Sequence, residues 1–283
     1  MSFRIGNVLF YKSPTGWRRT RQHVPGTGGQ ALMAPPNMIP LPYRLYLMGG
    51  LLSNLLFMVI GVAAFLLWRP VAVGWGLVSV VLLLMNGIPL GFNDAQSLRI
   101  VRQDPGNQQL LWIQLTVNAR LTAGASYADL PAAVYTPVKT AERTYFNDFQ
   151  LLLIATRALA AQDYAGAATI LRKPYDDGTE MMTLYFQELV QLLLLALLFS
   201  APTDPLIPEL WESFQQQPLA KRQQIFLVRA AHAWYTDHDA AAAQTALTAG
   251  HQLPREPLPA DQALIDQMAQ RLSQDMQAEK TTQ

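Results

Sequence analysis

The sequence predicts a mainly α protein: a transmembrane helical hairpin, preceded by a small N-terminal β-like segment and followed by a cytoplasmic helical bundle or repeat domain. Three observations carry this expectation. Apolar residues make up 51% of the 283 residues and charged residues only 14%, against roughly 25% charged in ordinary soluble domains. Two charge-free runs of 24 residues stand back to back, one between Arg44 and Arg69 and one between Arg69 and Asp94. From Thr144 onward the apolar residues recur at the spacing of packed helices.

Residues 1–42 read as a membrane-surface β-like arm. Extended segments at 3–11 and 17–24 are joined by Ser13-Pro14-Thr15-Gly16, a turn-forming set. A second breaker, Pro25-Gly26-Thr27-Gly28-Gly29, precedes Ala31-Leu32-Met33 and a proline-rich approach to the next element. This glycine-rich stretch lacks the Gly-Lys-Ser/Thr ending of a phosphate loop. The first 44 residues hold six basic side chains (Arg4, Lys12, Arg18, Arg19, Arg21, Arg44) and no acidic one. Such an arm faces the anionic headgroups of a lipid bilayer.

Residues 43–93 form the hairpin. Each charge-free run is long enough to cross about 30 Å of hydrocarbon at about 1.5 Å per residue. The short Arg69-Pro70 connection returns both outer ends to the same side, and the basic arm places that side in the cytoplasm. The expected location is therefore the cell membrane, multi-pass, with both termini cytoplasmic. In the first run Gly49, Gly50, Ser53 and Asn54 gather small and polar groups on one helix face. That face allows close helix approach, and Asn54 can hydrogen-bond across it.

Residues 94–140 read as juxtamembrane helices and a linker, with helices at 95–102 and, after the Asp104-Pro105-Gly106 turn, at 107–121. Residues 141–283 form the helical domain. In the run 189–199 only Gln191 is polar. Flanked by Glu188 and by Pro202 and Asp204, it is short for a span and reads as the buried helix of a soluble bundle. Residues 159–171, LAAQDYAGAATIL, resemble the middle of a tetratricopeptide repeat through Asp163, Tyr164, Ala167 and Leu171. A weaker echo, YTDHDAAAAQTAL, follows about 75 residues later, near two periods of about 34. The resemblance implies a scaffold that holds a protein partner; an unclassified helical bundle is the other reading. The polar tail 261–283 reads as a frayed terminal helix.

The chemistry available is restricted. Without cysteine there are no disulfides, thiolate nucleophiles or Cys-type zinc sites. Of four histidines, His23 stands alone among basic residues and His251 sits beside Pro254 in an expected loop. His232 and His238, six apart, fall on different helix faces rather than at the i, i+4 spacing of a zinc pair. All four read as surface or capping residues. Asp176 and Asp177 read as a solvated loop pair. A net charge of +1 gives no support to nucleic-acid binding.

The second run ends in Asn86-Gly87-Ile88-Pro89-Leu90-Gly91-Phe92-Asn93-Asp94. This Asn-x-x-Pro-x-x-x-x-Asp pattern resembles the carboxylate-bearing helix of the site-2 protease family, the intramembrane zinc metalloproteases. GGLLSNLL (residues 49–56) resembles that family's small-residue helix, and Gly28-Gly29-Gln30-Ala31-Leu32-Met33 its membrane-associated Gly-Gly strand. The resemblance implies that Asp94 is the metal ligand and that Asn86, Pro89 and Asn54 shape a substrate groove for a membrane peptide. It also implies a His-Glu-x-x-His helix carrying two further zinc ligands and a general base, and that motif does not occur in the sequence. Ala95 stands where the family has Gly. A single carboxylate does not activate water, since the zinc that would do so is held by three protein ligands. The expectation is a truncated or degenerate relative that binds no zinc and does not cleave peptides. The alternative is a membrane-anchored helical-repeat scaffold for a cytoplasmic protein partner.

Overall fold

The computed structural model describes residues 2–5, 7–13, 16–21, 29–32, 42–64, 69–89, 93–218 and 222–282. The contacts divide the chain into two units: Met1–Ala34, Ile113–Pro137 and Asn147–Gln283 in one, Pro35–Trp112 and Val138–Phe146 in the other.

Four strands, β1 (Ser2–Ile5), β2 (Val8–Ser13), β3 (Gly16–Arg21) and β4 (Gly29–Leu32), form an antiparallel sheet in the order β3-β2-β1-β4. Ser13 pairs with Gly16 across the expected turn. The expected single segment 3–11 is instead a hairpin, because Ile5 pairs with Val8 and only two residues separate them. Gly6-Asn7 is a two-residue turn signal, and it outweighs the apolar continuity on either side. β4 carries the expected Ala31-Leu32 and pairs with β1 from Ile5↔Gly29 to Ser2↔Leu32. Residues 22–28 and 33–41, including His23 and Met33, lie outside the described residues.

The second unit begins with α1 (Tyr43–Ala64) and α2 (Arg69–Gly87), packed against each other through small residues. A β-carbon at Gly61 would meet Trp75 Cδ1 at 3.3 Å and Gly76 Cα at 3.4 Å, and one at Gly87 would meet Leu51 at 3.4 Å. The rings of Phe57 and Trp75 pack edge to face, centroids 5.7 Å apart. Away from this seam both helices expose large apolar side chains such as Leu56, Ile60, Leu77 and Met85. α1 is long and apolar enough to cross a membrane. α2 runs through most of the second charge-free run, and its described apolar stretch is Val73–Gly87.

α3 (Asp94–Gln103) and α4 (Pro105–Thr122) follow, close to the expected bounds, with Pro105 at the first position of its helix. Asp104 ends α3 and pins two backbones at once. Its Oδ1 accepts from Gly106 N at 2.7 Å and its Oδ2 from Ala141 N at 2.7 Å. These two backbone donors hold the Asp104 carboxyl below its usual pKa.

Beyond the short turns at Tyr127–Asp129 and Ala132–Tyr135 come α5 (Tyr145–Ala160), α6 (Tyr164–Asp176), α7 (Thr183–Ser200), α8 (Ile207–Gln215), α9 (Gln223–Tyr235), α10 (Ala240–His251) and α11 (Pro259–Thr282). α7 is the centre of this helical unit. It is also long and apolar enough to cross a membrane, yet every residue from 189 to 198, Gln191 included, is buried. A helix apolar on all sides needs cover on all sides, and α6, α8 and α9 all pack on it.

The helix pairs α5/α6 and α9/α10 are joined by turns of the same form. Gln162 and His238 both take positive φ, 60° and 53°. The aspartate that follows each caps the next helix: Asp163 Oδ1 accepts from Gly166 N at 2.9 Å, and Asp239 Oδ1 from Ala242 N at 2.8 Å. Ala167 and Leu171 in α6 are buried, as are Ala243 and Leu247 in α10.

Candidate functional site

The junction of α2 and α3 is built around Asn93. Its Oδ1 accepts from Gln96 N at 2.9 Å, capping α3, while its Nδ2 donates to Met85 O at 2.8 Å and Ile88 O at 2.5 Å at the end of α2. One amide thus satisfies both a helix N-terminus and a helix C-terminus, whose backbone groups have no partner inside their own helices.

Asp94 opens α3, where the helix dipole favours a carboxylate. It packs on the small-residue face of α1, and a β-carbon added at Gly50 would stand 2.9 Å from its Oδ2. Burial raises the Asp94 pKa. Nearby, Ser97 Oγ and Tyr145 Oη share a hydrogen bond of 2.6 Å, and burial pushes Tyr145 up to about 12.

Beside Asp94 runs a groove of about 560 Å³, lined by Leu51, Gly87, Pro89, Leu98, Arg99 and Arg102 among others. Of the three expected groove residues, Pro89 lines it. Asn54 and Asn86 are half-buried on their helices and are not among the residues lining this groove.

Asp94 is the one ligand of a three-ligand zinc site that the resemblance places on this chain. Among the described residues no three His, Asp or Glu side chains are grouped as metal ligands. The residues described therefore do not compose the zinc centre that the resemblance implies, and no hydrolytic step is assigned to them.

The histidines differ from expectation in two places. His232 is not on the surface: it is buried, stacks on Trp211 with centroids 3.8 Å apart, and places Nδ1 3.1 Å from Asp237 Oδ2. Apolar neighbours on α9 and the aromatic partner on α8 draw the ring inward. His251 ends α10 instead of lying in a loop. Asp176 and Asp177 are exposed, as expected, but Asp176 ends α6 and Asp177 is its C-cap instead of both lying in a loop, with Asp176 3.4 Å from Arg172.

A second constellation lies inside the helical unit, around a cavity of about 260 Å³ lined on its polar side by Tyr127, Glu188, Arg222, Gln224 and Asp261. Tyr127 Oη donates to Asp261 Oδ1 at 2.5 Å, and Tyr135 Oη donates to the Tyr127 carbonyl. Gln224 Nε2 donates to Glu188 Oε1 at 3.0 Å and to Gln191 Oε1 at 3.1 Å, and Gln191 Nε2 donates onward to Gln217 Oε1 at 3.0 Å. Arg222 reaches Glu256 Oε2 through Nη2 at 3.1 Å and Nε at 3.3 Å. Burial raises the pKa of both Glu188 and Asp261.

No family model, curated protein or solved structure matches the chain. The sites therefore rest on their own geometry. Sequence reading did not single out Asn93, although an Asn directly before a helical run is an N-cap signal. It also passed over Tyr127, Glu188, Arg222 and Asp261. These lie on four separate segments with no local motif, and the nearest signal was a lone Glu opening an apolar run.

Proposed function

We propose that this chain is an integral membrane protein of the site-2 protease type, supplying the carboxylate-bearing second half of the membrane core. In this reading the hairpin sits in the cell membrane with both termini cytoplasmic, and the helical unit is a cytoplasmic domain. The observation that carries it is the packing of Asp94 on Gly50. The resemblance rests on a small-residue helix and a later carboxylate, and these two landmarks touch. Beside them the groove that includes Pro89 offers an apolar surface with Arg99 and Arg102 at its edge, suited to an extended membrane peptide. The role is binding; cleavage would require a zinc-bearing His-Glu-x-x-His helix together with Asp94.

A photoreactive residue at Leu98 tests this reading in the intact membrane. It is expected to capture a membrane peptide, and Pro89→Trp, which fills the groove, is expected to abolish capture. Capture unaffected by Pro89→Trp sinks the groove assignment. Because the chain has no cysteine, single cysteines placed at Arg18 and Asp177 report topology: both are expected to be labelled from the cytoplasmic side only.

The matched turns at Gln162-Asp163 and His238-Asp239 favour a second reading, a membrane-anchored helical-repeat scaffold for a cytoplasmic protein. It predicts that a partner co-purifies with the full chain and is lost on charge reversal at surface positions of α6 and α10. Co-purification insensitive to those changes counts against it.

A further inference from the structure

The cavity in the helical unit has an unusual charge arrangement. Three carboxylates, Glu188, Glu256 and Asp261, act on Arg222. Glu256, whose side chain is 2% exposed, takes up that arginine in a 3.1 Å salt bridge. Among the described residues, the hydrogen bonds made to Glu188 and Asp261 come from neutral groups, Gln224 and Tyr127. Glu188 and Asp261, both half-buried, thus share the cavity with one arginine that is already bonded to Glu256, and carboxylates withdrawn from water are favoured by a further opposite charge.

Most of the remaining lining is apolar: Leu192 and Leu195 come from α7, Leu227 from α9, and Leu264, Ile265 and Met268 from α11. Its volume of about 260 Å³ lies just under the range of drug-sized pockets, which begins at about 300 Å³. The occupant is therefore small, with a cationic end and an aliphatic body.

We propose that this cavity binds a primary ammonium group on a short aliphatic chain, with Glu188 and Asp261 accepting the ammonium protons and the α7 and α11 leucines covering the chain. An ammonium has three donors to distribute. Glu188 Oε2 and Asp261 Oδ2, which carry no hydrogen bond from a described residue, are available to take two of them. The site goes beyond the membrane reading and does not depend on it.

Raised carboxylate pKa values give the binding a pH signature. As pH falls through the range in which Glu188 and Asp261 protonate, the charge that attracts the ligand disappears. Arg222 and Tyr127 also line the site and the charge of Glu256 acts on both carboxyl groups, while Arg222 stays charged throughout. Affinity is therefore expected to weaken with acidification while the ligand remains fully cationic.

The test uses the full chain in lipid nanodiscs, titrated calorimetrically and by thermal unfolding with n-butylammonium, n-butanol and butyrate. Butylammonium is expected to bind at least about tenfold more tightly than butanol and to raise the unfolding midpoint, while butyrate does neither. A Glu188→Gln/Asp261→Asn double variant is expected to lose the preference for the ammonium over butanol. Should that variant not fold, the wild-type comparison at high and low pH carries the decision. Equal effects of butylammonium and butanol, a preference unchanged by acidification, or stabilisation by magnesium or calcium alone would overturn the proposal. A further arm with Nα-acetyl-lysine methylamide separates two sources of the same chemistry. Weaker binding than butylammonium assigns the site to a free amine, and tighter binding assigns it to a lysine side chain.

Discussion

The carbonyl oxygen of Lys139 lies over Gly106, 2.5 Å from where a β-carbon on that residue would stand. The same segment is tied down by the hydrogen bond from Ala141 N to Asp104, so the backbone has nowhere to retreat. Gly106→Ala is expected to destabilise the chain by about 1–3 kcal/mol, the usual range for forced overpacking. Chemical denaturation of the purified protein in detergent measures it, and a change below about 0.5 kcal/mol, the range of ordinary surface substitutions, would contradict the close approach.

At Gly50 the obstacle is the end of a side chain. Gly50→Ala would press on Asp94 Oδ2, which would have to shift to make room. The two positions are therefore expected to couple. Gly50→Ala is damaging in the wild-type background and tolerated beside Asp94→Ala, with a double-mutant coupling of about 1 kcal/mol. Additive effects would show that the two residues are not in contact.

The paired turns carry backbone strain that glycine would relieve. Gln162 and His238 hold φ at 60° and 53°, a region in which a β-carbon crowds the following carbonyl. Gln162→Gly and His238→Gly are each expected to raise stability by up to about 1 kcal/mol, reduced by the greater freedom of glycine in the unfolded chain. Thermal midpoints of the single variants decide this, and a fall in both would rule out the left-handed assignment.

Glu188 links stability to pH. Between the ordinary glutamate pKa, about 4.3, and its raised folded value, the folded protein holds a proton that the unfolded chain has released. The folded state then binds more protons, so stability falls as pH rises through that window. Asp261 acts in the same sense. Asp104, Asp129 and Asp204 have lowered values and act in the opposite sense. Comparing wild type with Glu188→Gln cancels their contribution. The variant is expected to lose less stability than wild type between mildly acidic and neutral pH, measured by urea unfolding at each pH. Parallel curves would mean that Glu188 is not perturbed by folding.

What could be read from the chain follows the range of the forces involved. The helices expected at 95–102 and 107–121 begin one and two residues earlier, at Asp94 and Pro105, and Asp163 of the expected Asp-Tyr turn caps α6. The burial of residues 189–198 was legible because an apolar run between Glu188 and Asp204 is short for a bilayer. The division of the first strand was missed because Gly6-Asn7 was read as strand rather than as a turn. The head of the hairpin was partly legible: Asp94 and Pro89 stood out, while Asn93, which joins the helices, was treated as the residue before the motif's end. The carboxylate cavity was not legible, since Tyr127, Glu188, Arg222 and Asp261 converge only after four segments far apart in sequence have packed.

α7 carries a consequence for how the chain is made. It is greasy enough to be taken for a span, and its cover includes Leu210 and Phe214 of α8, Val228 of α9 and Leu272 of α11. At about 5–20 residues per second, the ribosome takes several seconds to deliver those partners. On the proposed membrane reading, α7 is for that interval a naked apolar helix competing with α1 for insertion. Correct assembly is therefore a race between burial and insertion, and slow elongation through residues 201–272 would tilt it toward the bilayer.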